Sequence, residues 1–197
     1  MTFWNALENR RSHYALTAQS PITDEQIQEI IEKSIKNAPS AFHSQSSRVV
    51  LLKGEEHKAL WSIVMETLRE IVPAEAFSQT EAKINSFAAA YGSVLFFEDQ
   101  DTIKSLQENF STYADRFPQW SEHHTGLLQF IVWTALEEAG LGASLQHYNP
   151  LIDEKVREKW GLPQSWKLIA QMPFGTSTST PEEKEFIPVE ERLRIFG

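Results

Sequence analysis

The sequence predicts an α+β fold with helices on both faces of a small sheet. Helical periodicities outnumber the strand-like runs, of which three or four short ones occur in mixed order. One segment, 125–139, is apolar almost all round and belongs in the middle of the fold or at a seam between subunits. The 197 residues, 41% of them hydrophobic, fit one domain over 1–197 with a substantial core.

The elements follow in order. Residues 2–9 form a short helix capped by Thr2. Thr23-Asp24-Glu25-Gln26 has the spacing of a capping box. Ile27, Ile30, Ile31 and Ile35 then make one buried helical stripe, which Pro39 ends. Arg48 to Leu52 is a β-branched and apolar strand. Leu60, Ile63, Val64, Leu68 and Ile71 line the inner side of a helix over 55–72 that Pro73 breaks. A helix over 77–90, a buried strand over 93–97 and a helix over 101–113 come next. Arg116 to Glu122 is polar and aromatic and holds Pro118, so a loop is expected. The apolar helix over 125–139 stops at Gly140-Leu141-Gly142. A short strand over 143–145, a helix over 152–160 and a strand over 166–174 complete the core. Gly175 to Phe186 is rich in Ser, Thr, Pro and Glu and has no core pattern, whereas Pro188 to Gly197 turns basic and apolar.

Composition narrows the function. A net charge of −9 argues against a non-specific nucleic-acid binder, which needs a basic face. With no cysteine there is no disulfide, thiolate metal site or cysteine nucleophile. No apolar signal core opens the chain, and no stretch reaches the roughly 20 apolar residues of a membrane span. The expectation is a soluble cytoplasmic protein. Six Trp and twelve Phe serve core packing and also point to an oligomer, because aromatics are enriched at subunit interfaces. G-x-G-x-x-G, the Walker loop, G-x-S-x-G and H-E-x-x-H are absent. His123 and His124 are adjacent, share no helix face and have no carboxylate at a matching interval, so no metal site is expected.

The remaining chemistry lies in two polar loops at opposite ends of the first long helix. Arg10-Arg11-Ser12-His13-Tyr14 offers two guanidinium forks and a hydroxyl, suited to phosphate oxygens. Pro39 to Arg48 offers the hydroxyls of Ser44 and Ser47, the amide of Gln45 and free backbone donors. Together they suit a flavin mononucleotide, anionic at one end and a planar polar heterocycle at the other. Arg48 joins this cluster or pairs with an acid. His147 and Tyr148 follow the glycine stop, where a buried hydrogen-bonded pair is the ordinary alternative. Arg192 and Arg194 alternate with apolar residues, as in an edge strand or an extended arm with both arginines on one side; a solvated tail is the ordinary alternative.

These segments, in this order, resemble the nitroreductase family of flavoproteins, and most of all its short fatty-acid-repression-mutant-like branch. The segments that match are Arg10-Arg11-Ser12, Ala38-Pro39-Ser40 with Ser44 to Arg48, Gly140 to Pro150, and Arg192 to Arg194. The resemblance covers nearly the whole chain. It implies a three-layer fold with a small mixed or antiparallel sheet and a C-terminal arm that reaches a partner subunit. It implies a homodimer with FMN at two interface sites and ping-pong hydride transfer from NAD(P)H to nitroaromatics, quinones or similar acceptors. The flavin carries the redox chemistry, so no protein acid, base or nucleophile is expected as a catalytic residue. By the resemblance, Arg10, Ser12 and Arg194 hold the phosphate, and Arg11 and Arg192 are candidates for the same cofactor site. Ser44, Gln45 and Ser47 hold the ring and ribityl chain, and the backbone of Leu145, Gln146 and His147 sits near the reactive ring nitrogen. Tyr14 belongs to the same set, although most members carry an arginine there. The rival expectation is a non-catalytic flavin-binding or regulatory protein of the same fold, with the aromatic stretch from Phe110 to His124 covering the ring. A third is a helical interaction protein without a cofactor.

Overall fold

In the computed structural model, which describes residues 2–197, the central layer is an antiparallel sheet in the order β1-β5-β3-β2. Its strands are β1 (Leu16–Thr17), β2 (Ser47–Lys53), β3 (Gly92–Asp99), β4 (Gly142–Ala143) and β5 (Trp166–Ser177), with β4 pairing on β5. The helices are α1 (Phe3–Asn9), α2 (Asp24–Asn37), α3 (Gly54–Arg69), α4 (Phe77–Ala88), α5 (Gln100–Asn109), α6 (Phe117–Glu138), α7 (Asp153–Trp160) and the single turn α8 (Val189–Arg192).

Side chains of successive strand residues point to opposite faces, and β3 divides the core accordingly. Val94 and Phe96 pack with Ile27 and Ile31 of α2 and Leu128, Val132 and Leu136 of α6. Leu95 and Phe97 pack with Leu60, Trp61 and Val64 of α3, Phe87 of α4 and Val156 of α7. Residues on both faces of β3 are fully buried, which is why this strand reads as a continuous apolar run. The capping box at Thr23 and Gln26 forms as its spacing predicts. Gly175 lets β1 cross closely, because a Cβ there would meet the carbonyl oxygen of Thr17 at 2.4 Å.

The structure corrects several expectations. Arg116 to Glu122 is not a loop but the start of α6, since Pro118 falls in the first turn, where a missing N–H leaves nothing unpaired. The helix expected over 101–113 ends at Asn109, and a 3-10 turn follows at Ser111–Tyr113. The strand expected over 143–145 is Gly142–Ala143, and β5 runs on to Ser177. The strands pair antiparallel, with one isolated parallel bridge between Ser12 and Ala143. Among the described residues no helix is long and apolar enough to cross a membrane.

Candidate functional site

The parallel bridge between Ser12 and Ala143 builds the site, because it joins the cationic N-terminal loop to the segment after β4. His13 N–H donates to the Ala143 carbonyl at 2.9 Å. Gly142 makes room for the loop, since a Cβ there would lie 2.9 Å from Cγ of His13. His13 Nδ1 lies 2.9 Å from Ser177 Oγ, which ties the loop to the end of β5. Arg10 lays its guanidinium over the Trp133 ring of α6, 4.5 Å from the centroid, and its Nε is buried without a partner. Burial lowers the pKa of Arg10, against the opposing charge of Glu137. Burial also raises the pKa of Glu137, against the opposing charge of Arg10. Arg11, Ser12 and Tyr14 line a cleft of about 480 Å³ whose other wall is Ser179 to Glu182. Lys184 joins this group: burial lowers its pKa, and repulsion from Arg10 and Arg11 lowers it further.

The chain from Ser144 to Tyr148 runs beside β5 with alternating hydrogen bonds. Ser144 N–H donates to Pro173 O at 3.2 Å, and Gln146 N–H donates to Gln171 O at 2.7 Å. The amides of Leu145 and His147 point the other way and have no partner among the described residues. Gln146 is therefore held by the sheet, and its side-chain amide donates to Ser144 Oγ at 3.1 Å. The free donors belong to its two neighbours. His147 is exposed, whereas Tyr148 is half-buried and packs edge-on to Trp61 at 6.0 Å, so the two do not form a buried pair.

The second loop is strained. Phe42, His43 and Gln45 have φ of 56°, 52° and 49°. Each such residue costs about 1–3 kcal/mol, and clusters of them mark functional loops. Gln45 N–H donates to Ser40 Oγ at 3.2 Å. Arg48 leaves the polar cluster to pair with Asp99 at 2.7 Å, while its Nη1 donates to Gln45 O at 2.6 Å. Ser44 keeps a hydroxyl without a side-chain partner among the described residues, and Gln45 is exposed.

Three expected residues lie elsewhere. Ser47 turns its hydroxyl inward onto Glu98 and is buried, because its place at the start of β2 aims it at the α6 side of the sheet. In that orientation its hydroxyl is engaged by Glu98 and His124. Arg192 and Arg194 do not alternate along a strand: Arg192 ends the α8 turn, and Arg194 Nη1 donates to the carbonyls of Glu190 and Leu193. Every residue from 185 to 197 is exposed, so within one chain neither arginine joins the N-terminal loop.

Sequence reasoning missed three residues. Lys184 stands alone among glutamates, a local sign that went unread. Glu98 directly follows the apolar run Val94-Leu95-Phe96-Phe97, an odd place for a carboxylate. His124 differs from exposed His123 only by which face of α6 it falls on, which the pattern of a half-exposed helix start does not reveal.

A cleft walled by Arg11 and Ser12, in the same loop as the half-buried Arg10 guanidinium and bridged to the segment that holds two free amide donors, has the chemistry to hold a phosphate ester that carries a planar ring. The sequence profile of the nitroreductase family matches residues 7–176. The nitroreductase FRM2 of Saccharomyces cerevisiae is 37% identical over 187 residues, covering 94% of this chain and 93% of FRM2. The nitroreductase CinD of Lactococcus lactis, solved with chloramphenicol and with 4-nitrophenol, is 44% identical with a TM-score of 0.91 over the whole of both chains. A nitroreductase-like protein of Exiguobacterium sibiricum, solved with FMN, shares the fold at 14% identity and a TM-score of 0.73. The chain belongs to the nitroreductase family, a family of FMN-dependent oxidoreductases.

Proposed function

We propose that this chain, as one domain paired with a second copy, moves reducing equivalents from NAD(P)H to nitroaromatic, quinone or similar acceptors by ping-pong turnover in the cytoplasm. The observation that carries this reading is the pair of unpartnered amides at Leu145 and His147, set one bridge away from the Arg10 loop. FMN, when bound, supplies the hydride-carrying ring. Arg10, Arg11 and Ser12, with Lys184, hold its phosphate. Tyr14 walls the cleft. Ser44 and Gln45 meet its polar edge, and the amides of Leu145 and His147 stabilise negative charge that develops on the ring. Gln146 holds those amides in place through β5. Arg192 and Arg194 act on the partner copy's site, delivered by the exposed arm.

Exposed apolar side chains support the pairing. Phe186, Ile187, Ile195 and Phe196 on the arm are each at least 60% exposed, and Leu127 and Phe130 stand out from α6. Apolar surface on this scale marks a contact with another chain. The CinD complexes favour a nitroaromatic acceptor.

The test is an anaerobic titration of the purified protein. Its flavin band should bleach on NADH or NADPH and return on addition of 4-nitrophenol or a quinone. A colourless protein that takes up no added FMN overturns the reading. A yellow protein that bleaches and does not recover with any such acceptor supports the regulatory alternative.

A further inference from the structure

A line of hydrogen bonds runs from a buried carboxylate to the wall of a separate pocket. Glu98 on β3 is 1% exposed. Ser46 Oγ donates to its Oε2 at 2.6 Å, and Ser47 Oγ bonds its Oε1. The same Ser47 oxygen lies 3.2 Å from Nδ1 of His124 on α6. Nε2 of His124 has no partner among the described residues and is not among the buried unpaired atoms. The His124 ring helps to wall a pocket of about 310 Å³ with Pro39, Phe42, Trp120, His123 and Leu127. Phe42 lies near-parallel to Trp120, 6.1 Å between centroids, and is held by the strained backbone of its loop. The pocket is thus walled by aromatic side chains and has an imidazole at one edge.

We propose that Glu98, Ser47 and His124 form a proton relay that delivers a proton to an oxygen of a planar aromatic acceptor held in the pocket that Phe42 and Trp120 help to wall. This rests on the reading of the protein as a reductase of such acceptors. In the loaded state the Glu98 carboxyl O–H donates to Ser47 Oγ, the Ser47 O–H donates to Nδ1, and Nε2–H faces the pocket. On delivery the Nε2–H bond breaks as an O–H bond forms on the acceptor. The Ser47 proton passes to Nδ1 and the Glu98 proton to Ser47. Glu98 ends as a carboxylate and His124 ends neutral with its proton on Nδ1. A quinone that gains one hydride from the cofactor and this proton becomes the neutral hydroquinone. A solvent proton arriving at Nε2 reloads the relay.

Burial sets where the resting proton sits. It raises the pKa of Glu98, against the hydroxyls of Ser46 and Ser47, and lowers that of His124. Burial thus disfavours both the carboxylate and the imidazolium, and favours the neutral form of each group. The other charged or titratable groups around Glu98 are Arg48 on β2, Lys167 opposite it on β5, and His123 on α6. Arg48 is held by Asp99, and Lys167 and His123 are exposed.

The relay is tested with nitrobenzene, an acceptor that does not titrate, bound to the protein as purified and followed by tryptophan fluorescence with no electron donor present. Binding should tighten about fivefold as the pH falls and the relay fills, the worth of one hydrogen bond from Nε2–H. Glu98→Gln and, separately, His124→Gln should each abolish that pH dependence. A pH dependence that survives both variants overturns the relay, whether or not the protein turns over. In stopped-flow work on the FMN-loaded enzyme, Glu98→Gln should slow reoxidation by a quinone about tenfold more than it slows bleaching by NADPH. Equal slowing of the two steps also counts against the relay. A protein that never bleaches sinks the reductase reading and leaves the nitrobenzene result to stand on its own.

Discussion

A buried histidine–serine pair lies on each face of the sheet, His57–Ser93 on one and His124–Ser47 on the other, and the two pairs differ in one group. On the α3 side, His57 Nδ1 lies 3.0 Å from Ser93 Oγ, which also accepts from Trp61 Nε1 at 3.1 Å. Burial pushes the His57 pKa down to about 4, so this ring stays neutral. On the α6 side, the serine between strand and histidine also touches a carboxylate. That addition brings a second home for a proton, and His124 also borders a pocket. One pair closes a core; the other holds a proton that can move. The same contrast separates the two sides of the sheet. The α3 side finishes its own packing around Trp61, whereas the α6 side leaves aromatic and apolar groups at its surface.

The largest expected effect tests whether the α3 side is a finished core. Trp61→Ala should cost about 3–5 kcal/mol, measured by urea unfolding. A loss below about 1 kcal/mol would mean that this side is as open as the other.

The pH dependence of stability sharpens the comparison, because the two sides have opposite signs. The His57 pKa is depressed on folding, so its contribution is present above about pH 6.5 and lost as the pH falls toward 4. The loss amounts to about 3 kcal/mol. The Glu98 pKa is raised, so its contribution is complete below the ordinary carboxyl range and lost as the pH rises through the raised value. In a series of melting temperatures against pH, His57→Gln should flatten the acid limb and Glu98→Gln the limb above it. A melting profile unchanged by either variant would dissolve the distinction.

A third effect concerns the far end of α6, where Trp133 supports Arg10. Arg10→Ala should weaken FMN binding by about 1.5–3 kcal/mol if the guanidinium meets the phosphate. Equilibrium binding followed by flavin fluorescence measures this, and an unchanged dissociation constant removes Arg10 from the site. The smallest effect is a control on neither pair. Thr23→Ala loses the cap of α2 and should cost about 1 kcal/mol, with the pH profile of the melting temperature unmoved.

Much of the fold was legible because local rules and tertiary packing agree. The capping box at Thr23 and the glycine stop after α6 each state a boundary that the structure keeps. The isoleucine stripe of α2 holds at Ile27 and Ile31 but not at Ile35, which is exposed, and Ile71, expected on the inner side of its helix, lies exposed beyond the end of α3. The start of α6 was not legible, because Pro118 reads as a breaker unless its place in the first turn is known. Of the candidate residues, Arg11, Ser12 and Tyr14 line one cleft, and the Ser12 bridge sets their loop against the strand edge after β4. Ser47 does not join them, because the side on which a strand's first residue points depends on register, and one step reverses it.

The sequence by itself determined the helices, the layered α+β class and the two polar loops, since caps, stripes and glycine stops are set by residues near one another in the chain. Only the tertiary structure decided which amides stay free, that Lys184 joins the arginines, and that Ser47, Glu98 and His124 meet. Those groups lie on β2, β3 and α6, far apart along the chain. Their meeting follows from strand register and helix rotation, which no local pattern encodes.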